Sequence, residues 1–109
     1  MSGRILTVDD SASIRLTTKV TLTNAGYEIT EAVNGAEGLE KAKAGEFDLI
    51  VTDLNMPIMD GLTMIEELRK LPAHMGVPII FLTTESDADL KARAKAAGAT
   101  GWLTKPFDP

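Results

Sequence analysis

The feature that most constrains the fold is an alternation of five short apolar or β-branched runs with four longer, helix-length stretches. The runs cover residues 4–8, 27–32, 47–52, 77–82 and 101–104. The last three are nearly continuous in apolar side chains, which is typical of strands covered on both faces of a parallel sheet. Because crossovers between parallel strands are right-handed, the pattern predicts an α/β fold with a doubly wound, five-stranded parallel sheet.

Capping residues mark the ends of the predicted second and fourth helices. Asn34 lies at an N-cap position and Glu37 follows three residues later, as in a capping box. Gly45 supplies the stop of this helix. The fourth helix is followed by Gly98, at a position where a left-handed residue is expected. Both helices are therefore well specified by local signals.

The other two predicted helices are specified less evenly. Asp60 caps a segment in which apolar residues recur every third position, and Pro72 ends it. The first helix, residues 12–24, contains four threonines, which are poor helix formers, and it shows no single apolar stripe. The sequence therefore leaves open which side of this first helix faces the sheet.

Composition limits the classes of protein to which this chain can belong. Its 109 residues, 44% of them hydrophobic, can bury enough apolar surface for one domain. No apolar stretch approaches bilayer length and no signal peptide is recognisable, which predicts a soluble, cytoplasmic protein without membrane contact. The absence of cysteine leaves oxygen-based chemistry. The 16 acidic and 11 basic residues include no Lys/Arg run, which favours protein partners over nucleic acid.

The residues that follow the predicted strands carry the chemistry of a candidate site. Asp9, Asp10, Asp53, Thr83 and Lys105 all fall at carboxyl ends of strands, where open parallel sheets bind ligands. Three neighbouring carboxylates repel one another unless a cation compensates, and Mg²⁺ prefers oxygen ligands and commonly joins carboxylates to a phosphate. A lysine and a hydroxyl add stabilisation for phosphoryl oxygens. The set predicts magnesium-dependent phosphoryl transfer to a carboxylate.

Together these motifs resemble the receiver domain of two-component response regulators. The resemblance is carried by Asp9-Asp10, Asp53-Leu54-Asn55-Met56-Pro57, Asp60-Gly61, Thr83-Thr84 and Lys105-Pro106-Phe107. It implies the flavodoxin-like strand order 2-1-3-4-5 and phosphorylation of Asp53 by a histidine kinase. It also implies a signalling domain, not an enzyme, that assists its own phosphorylation and dephosphorylation.

The resemblance assigns a role to each site residue. Asp10 and Asp53 would ligate Mg²⁺ directly, and Asn55 would lend its backbone carbonyl. Asp9 would act mainly through groups around the ion, and Lys105 would pair with the phosphoryl oxygens.

Two further roles follow from the same resemblance. Thr83 would move toward the phosphate in concert with Trp102, which stands where tyrosine or phenylalanine is commoner; simple packing is the alternative role for this indole. Asn55 and Glu85 occupy the positions that tune the dephosphorylation rate.

Within the family, the run 7–11 and the Asn55/Glu85 pair look most like single-domain chemotaxis regulators. Such proteins dock the surface around the fourth helix and fifth strand onto a motor or kinase partner. A receiver excised from a multidomain regulator and a non-phosphorylated docking module are the alternatives.

Two other functional classes are disfavoured by particular residues. A phosphatase of the haloacid-dehalogenase type needs a proton-carrying carboxylate where Asn55 stands. Flavodoxin-like cofactor binding needs a phosphate-cradling loop where Asp9 and Asp10 stand.

Three expectations concern residues outside the candidate site. His74 has no partner at ligand spacing and is expected to be a solvated loop residue, while the methionines are expected to serve packing or loops. The chain stops at Pro109, where the family would begin a fifth helix, which predicts truncation. Strand residues such as Ile5, Leu6 and Val8, or their alternate-face neighbours, would then expose apolar surface and favour self-association.

Overall fold

A computed structural model describes residues 3–53, 59, 61–71, 74, 76–83 and 88–104. Its five strands are β1 (Arg4–Val8), β2 (Glu28–Ala32), β3 (Leu49–Asp53), β4 (Ile79–Thr83) and β5 (Gly101–Thr104). All pairings are parallel, and the strand order is β2-β1-β3-β4-β5. The predicted α/β class and flavodoxin-like strand order are therefore confirmed.

Four helices connect the strands within the described parts of the chain. They are α1 (Ala12–Asn24), α2 (Gly35–Ala44), α3 (Gly61–Leu68) and α4 (Ala88–Ala97). β3 and β4 each begin two residues later than predicted. The prediction included Phe47 and Val77 because they are apolar, but these residues are buried in the segments that lead into the two strands. Their apolar character reflects core packing and not pairing in the sheet.

The capping predictions for α2 and α4 hold, with one difference in backbone geometry. Asn34 Oδ1 accepts a hydrogen bond from the Glu37 amide at 2.9 Å, and Glu37 Oε1 accepts one from the Val33 amide at 3.0 Å. Gly98 has a φ of 118°, as a left-handed helix end requires. Gly45 does end α2, but with a φ of −153° it is extended, so any residue could adopt its conformation. The predicted cap Asp60 and stop Pro72 lie outside the described residues.

The sheet is packed on both faces, which makes the fold doubly wound. On one face, α2, α3 and α4 cover a large apolar cluster that includes Leu6, Ile50 and Phe81. On the other face, Ile5 and its strand neighbours Val51 and Leu82 pack against residues of α1, among them Ile14 and Leu22. These two contacts settle the orientation of α1 that the sequence left open.

The expectation that apolar strand residues would be open to water is wrong for the three residues it named. Ile5, Leu6 and Val8 are each at most 1% exposed, because successive strand residues point alternately into the two packed layers. Among the described large apolar side chains, the two most exposed are instead on α1, where Leu16 is 62% and Val20 50% exposed.

His74 is buried, which corrects the expectation of a solvated loop residue. It is 1% exposed, and its Nε2 donates a hydrogen bond of 2.7 Å to the carbonyl oxygen of Ala42. That carbonyl lies in the last turn of α2, where helix carbonyls lack intrahelical partners. The imidazole therefore caps α2 from a distant part of the chain. The methionine prediction is confirmed for Met64, which is fully buried, and for Met59, which packs against the same core.

No helix within the described ranges is long and apolar enough to cross a membrane.

Candidate phosphoacceptor and metal site

The register of the sheet brings the predicted acidic residues together. Val8 of β1 lies opposite Thr52 of β3, so Asp9 and Asp53 come next to each other at the carboxyl ends of the two strands. Carboxylate oxygens of Asp9, Asp10 and Asp53 all lie within 4.8 Å of one another. The structure thus assembles the three carboxylates that the strand-end argument selected.

The three carboxylates differ in their access to solvent. Asp9 is 3% and Asp53 9% exposed, whereas Asp10 is on the surface. Asp9 is held by its amide, which donates to the Ala32 carbonyl at 3.1 Å, and by its Oδ1, which accepts from the Ser11 amide at 2.9 Å. The site therefore has two buried carboxylates at its base and one exposed carboxylate, that of Asp10, at its opening.

Electrostatics give this cluster a reason to take up a cation. Two negative charges less than 5 Å apart repel each other by on the order of 3 kcal/mol at the effective dielectric constant of a protein. Asp9 and Asp53 are both buried, so water screens them poorly. An all-oxygen set without histidine or cysteine suits a hard ion such as Mg²⁺ better than Zn²⁺.

A residue that sequence reasoning missed contacts the backbone of this cluster. Nη1 of Arg15, on the first turns of α1, donates a hydrogen bond of 2.7 Å to the carbonyl oxygen of Asp9. Ser11 starts the helix, and its hydroxyl accepts from the Ile14 amide at 3.4 Å. No motif marks Arg15, because its role depends on the turn that leads from β1 into α1.

The remaining predicted site residues are described only in part. Thr83 is the last residue of β4, and its backbone lies at the same edge of the sheet, since Asp53 pairs with the preceding Leu82. The Thr83 side chain is not among the described parts of the chain, and neither are Asn55, Glu85 and Lys105.

Trp102, the predicted switch partner of Thr83, lies on β5 with its indole at the surface. It is 48% exposed, its ring centroid is 6.3 Å from that of Phe81, and Lys91 Nζ lies 4.3 Å from its centre. The ring thus packs beside Phe81 on the neighbouring strand β4, and a lysine from α4 lies over it.

A parallel sheet in 2-1-3-4-5 order places this chain in the flavodoxin-like class of folds, with its acidic cluster beyond β1 and β3 at the carboxyl ends of the strands, where such folds bind ligands. Residues 5–109 match the family described as the response regulator receiver domain, and the chain belongs to that family. Receiver domains are signalling domains of two-component phosphorelays that interact with histidine kinases and output domains, and are not classical enzymes. The predicted membership of the receiver-domain family is confirmed.

Similar proteins include single-domain and larger members of the family. The structure of the chemotaxis protein CheY4 of Vibrio cholerae is 45% identical with a TM-score of 0.96, covering 100% of this chain and 91% of that one. CheY1 of Helicobacter pylori is 38% identical over 108 residues, covering 97% and 87% of the two chains. Other curated relatives are longer, and the chain spans about half the length of those such as the probable transcriptional regulator ycf29 of Porphyra purpurea. It covers 52% of that protein at 34% identity over all of this chain.

One similar structure bears on the metal. The receiver domain of the sensor histidine kinase PA1611 of Pseudomonas aeruginosa was solved with a magnesium ion in its active-site cleft. It is 28% identical, with a TM-score of 0.91, and covers 99% of this chain and 88% of that chain.

Proposed function

We propose that Asp53 is the phosphoacceptor of this receiver domain and that its phosphorylation by a histidine kinase requires Mg²⁺. The observation that carries the proposal is the position of Asp53, at the carboxyl end of β3 with its carboxylate within 4.8 Å of those of Asp9 and Asp10. A single receiver domain across residues 1–109 is the domain organisation we propose. The described part of the fold and the family match support it.

The metal ligands in this proposal are Asp10, Asp53 and the backbone carbonyl of Asn55, with Asp9 orienting the groups around them. When bound, Mg²⁺ supplies positive charge that offsets the repulsion between the carboxylates and an incoming phosphoryl group. The exposed position of Asp10 supports this assignment, because it leaves a path for a hydrated ion to reach the two buried carboxylates.

In the transfer step, a carboxylate oxygen of Asp53 forms a bond to phosphorus. The bond from phosphorus to the histidine nitrogen of the kinase breaks, and that nitrogen keeps the electron pair. Lys105 and the Thr83 hydroxyl stabilise the phosphoryl oxygens in this proposal. Water later hydrolyses the aspartyl phosphate at a rate tuned by Asn55 and Glu85.

The output of the switch is partner binding. In this proposal, movement of Thr83 toward the phosphate is coupled to Trp102, which changes the surface formed by α4 and β5. That surface docks a motor or output protein, and we propose a role in chemotaxis. The similarity to CheY4, of which this chain covers 91%, supports the chemotaxis assignment. The fraction covered of ycf29 supports the alternative of a receiver within a multidomain regulator.

Self-association belongs to this proposal as well. Leu16 and Val20 expose apolar surface on neighbouring turns of α1, and a second copy could cover it. Light scattering at high concentration tests this point, with Leu16→Ser as the variant expected to dissociate any dimer. A wild-type chain that stays monomeric would contradict it.

Calorimetric titration with Mg²⁺ tests the metal site directly. We expect one site in the wild type and a loss of at least tenfold in affinity in Asp10→Asn and in Asp53→Asn, because each removes a charged ligand. Glu40→Gln is the matched control, since this carboxylate lies on α2 with its side chain 77% exposed. Equal affinities in the wild type and the Asp10 and Asp53 variants would overturn the assignment.

A further inference from the structure

We propose that Arg15 is a positioning residue for the metal site, because it fixes the peptide plane that joins Asp9 to Asp10. This inference rests on the proposed function, in which both aspartates serve the Mg²⁺ site. Arg15 itself would not ligate the ion. Its side chain reaches the backbone between the two aspartates, not their carboxylates.

The hydrogen bond from Arg15 to the Asp9 carbonyl lies just past the end of β1, where strand pairing stops. β1 ends at Val8, so the carbonyl of Asp9 lies beyond the strand ladder. Arg15 Nη1 donates to this carbonyl at 2.7 Å, a short distance typical of a hydrogen bond from a charged donor. The guanidinium thus holds a carbonyl that lies just past the end of β1.

The guanidinium is itself held from a second direction. Its Nε lies 3.8 Å from Oε1 of Glu31 on β2, and the Arg15 side chain is only 18% exposed. Glu31 Oε2 lies 3.8 Å from Lys19 Nζ, and Lys41 Nζ donates to the Glu31 carbonyl oxygen. A planar guanidinium presents its donors in fixed and separate directions, so Nη1 and Nε make the two contacts from different points, whereas the ammonium of a lysine would have to reach both partners from one nitrogen.

Fixing this peptide plane fixes where the side chain of Asp10 begins. The Asp9 carbonyl, the Asp10 amide and the Asp10 Cα lie in one plane, so rotation of the plane would displace the Asp10 carboxylate. The amide and carboxylate of Asp9 are already held by Ala32 and Ser11. Arg15 adds a contact on the carbonyl side of the same residue, and Mg²⁺ demands near-ideal octahedral placement of its ligands.

The positive charge of Arg15 repels a cation and so lowers the affinity for Mg²⁺, whereas the positioning of Asp10 raises it. A test must therefore separate the effect of position from the effect of charge. Arg15→Lys keeps the charge and removes the planar guanidinium. Lys19→Gln removes a charge that also contacts Glu31 but makes no described contact with Asp9. If the positioning effect outweighs the charge effect, Arg15→Lys weakens Mg²⁺ binding and Lys19→Gln does not.

The experiment is calorimetric titration of the full chain with Mg²⁺, together with ¹⁵N relaxation of the metal-free protein. We expect Arg15→Lys to raise the Kd about threefold to tenfold, somewhat less than changes to groups that contact the ligands themselves. Lys19→Gln should stay within about twofold of the wild type. In the metal-free Arg15→Lys variant, the amides of Asp10 and Ser11 should become more mobile, while the urea midpoint reports whether the fold is retained.

Each outcome separates this inference from the proposed function. If Arg15→Lys is folded and binds Mg²⁺ like the wild type, the inference is wrong and the proposed function stands. If the wild type binds no Mg²⁺, the proposed function fails, and unchanged mobility of the two amides in Arg15→Lys would then overturn the inference on its own. If Arg15→Lys does not fold, Glu31→Gln decides, because it removes the contact that holds Arg15 on β2, while Lys19→Gln controls for the Lys19 contact that is lost with it; a wild-type Kd in Glu31→Gln would contradict the inference.

Discussion

The guanidinium of Arg69 donates two hydrogen bonds to the carbonyl oxygen of Gly98, at 3.0 Å from Nε and 2.7 Å from Nη2. Its Nη1 donates to the carbonyls of His74 and Val77, at 2.9 and 2.6 Å. Arg69 follows α3 directly, Gly98 ends α4, and Val77 leads into β4. Burial lowers the pKa of the guanidinium below its ordinary value, and these carbonyls offset the desolvation. One side chain thus joins three elements on this face of the sheet.

Replacing this fork should destabilise the domain without touching the acidic site. We expect Arg69→Lys to lower the free energy of unfolding by about 2 kcal/mol, because one ammonium group cannot serve three carbonyls in these directions. Lys70→Gln is the control, since that side chain is 71% exposed and the hydrogen bond and ion pair described for its ammonium group are both to Glu67. Urea unfolding measures both. Equal midpoints would show that the four hydrogen bonds to these three carbonyls contribute little to stability.

Close packing between α2 and its neighbours predicts a second stability effect, at Gly38. A Cβ atom at this position would lie 2.8 Å from Met64 Sδ and 2.9 Å from Val8 Cγ2. We expect Gly38→Ala to lower the free energy of unfolding by about 1 to 3 kcal/mol through overpacking, although alanine has the better helix propensity. Gly76→Ala is the matched control, because a Cβ there meets nothing within 4 Å. A Gly38→Ala variant as stable as this control would contradict the packing described for α2.

The hydrogen bond of His74 fixes the tautomer of its imidazole. A carbonyl oxygen can only accept, so the proton must lie on Nε2, which faces Ala42 at 2.7 Å. We expect ¹⁵N chemical shifts of the neutral ring to report the Nε2-H form. His74→Leu should lower the free energy of unfolding by about 1 to 3 kcal/mol, because it leaves a helix-end carbonyl without its donor. His74→Gln should recover part of this loss. The Nδ1-H form would refute the cap.

Local signals in the sequence predicted the architecture, because each was a property of neighbouring residues. Apolar runs identified the strands, Asn34 and Gly98 bounded helices through their own caps, and strand ends selected Asp9, Asp10 and Asp53. The strand starts were placed less well, since apolar character alone does not separate a ladder residue from a buried residue beside it.

The contacts that sequence reasoning missed join distant parts of the chain. His74 caps a carbonyl 32 positions away, and Arg69 serves one 29 positions away. No pattern of neighbouring residues encodes such a contact, which exists only once the layers have packed. His74 was misjudged for this reason, because an isolated histidine in a turn-like sequence gives no sign of the cavity it fills.

The exposed indole of Trp102 offers a readout of the proposed switch, since it is the only tryptophan. At 48% exposure beside Lys91, it should be readily quenched by acrylamide in the unphosphorylated protein. If phosphorylation moves the ring inward, quenching should fall when Mg²⁺ and a small phosphodonor are added. Asp53→Asn should show no such change. Quenching that stays constant while Asp53 becomes phosphorylated would mean that Trp102 is not part of the switch.

The most direct measurement is the intact mass of the protein after incubation with Mg²⁺ and a small phosphodonor, for the wild type and for Asp53→Asn. The arrangement of Asp53 within 4.8 Å of two other carboxylates predicts the gain of one phosphoryl group in the wild type. That gain should require Mg²⁺, disappear with a chelator and be absent from Asp53→Asn. A wild-type chain that gains no phosphoryl group, or an Asp53→Asn variant that gains one equally well, would contradict the assignment of Asp53 as the phosphoacceptor.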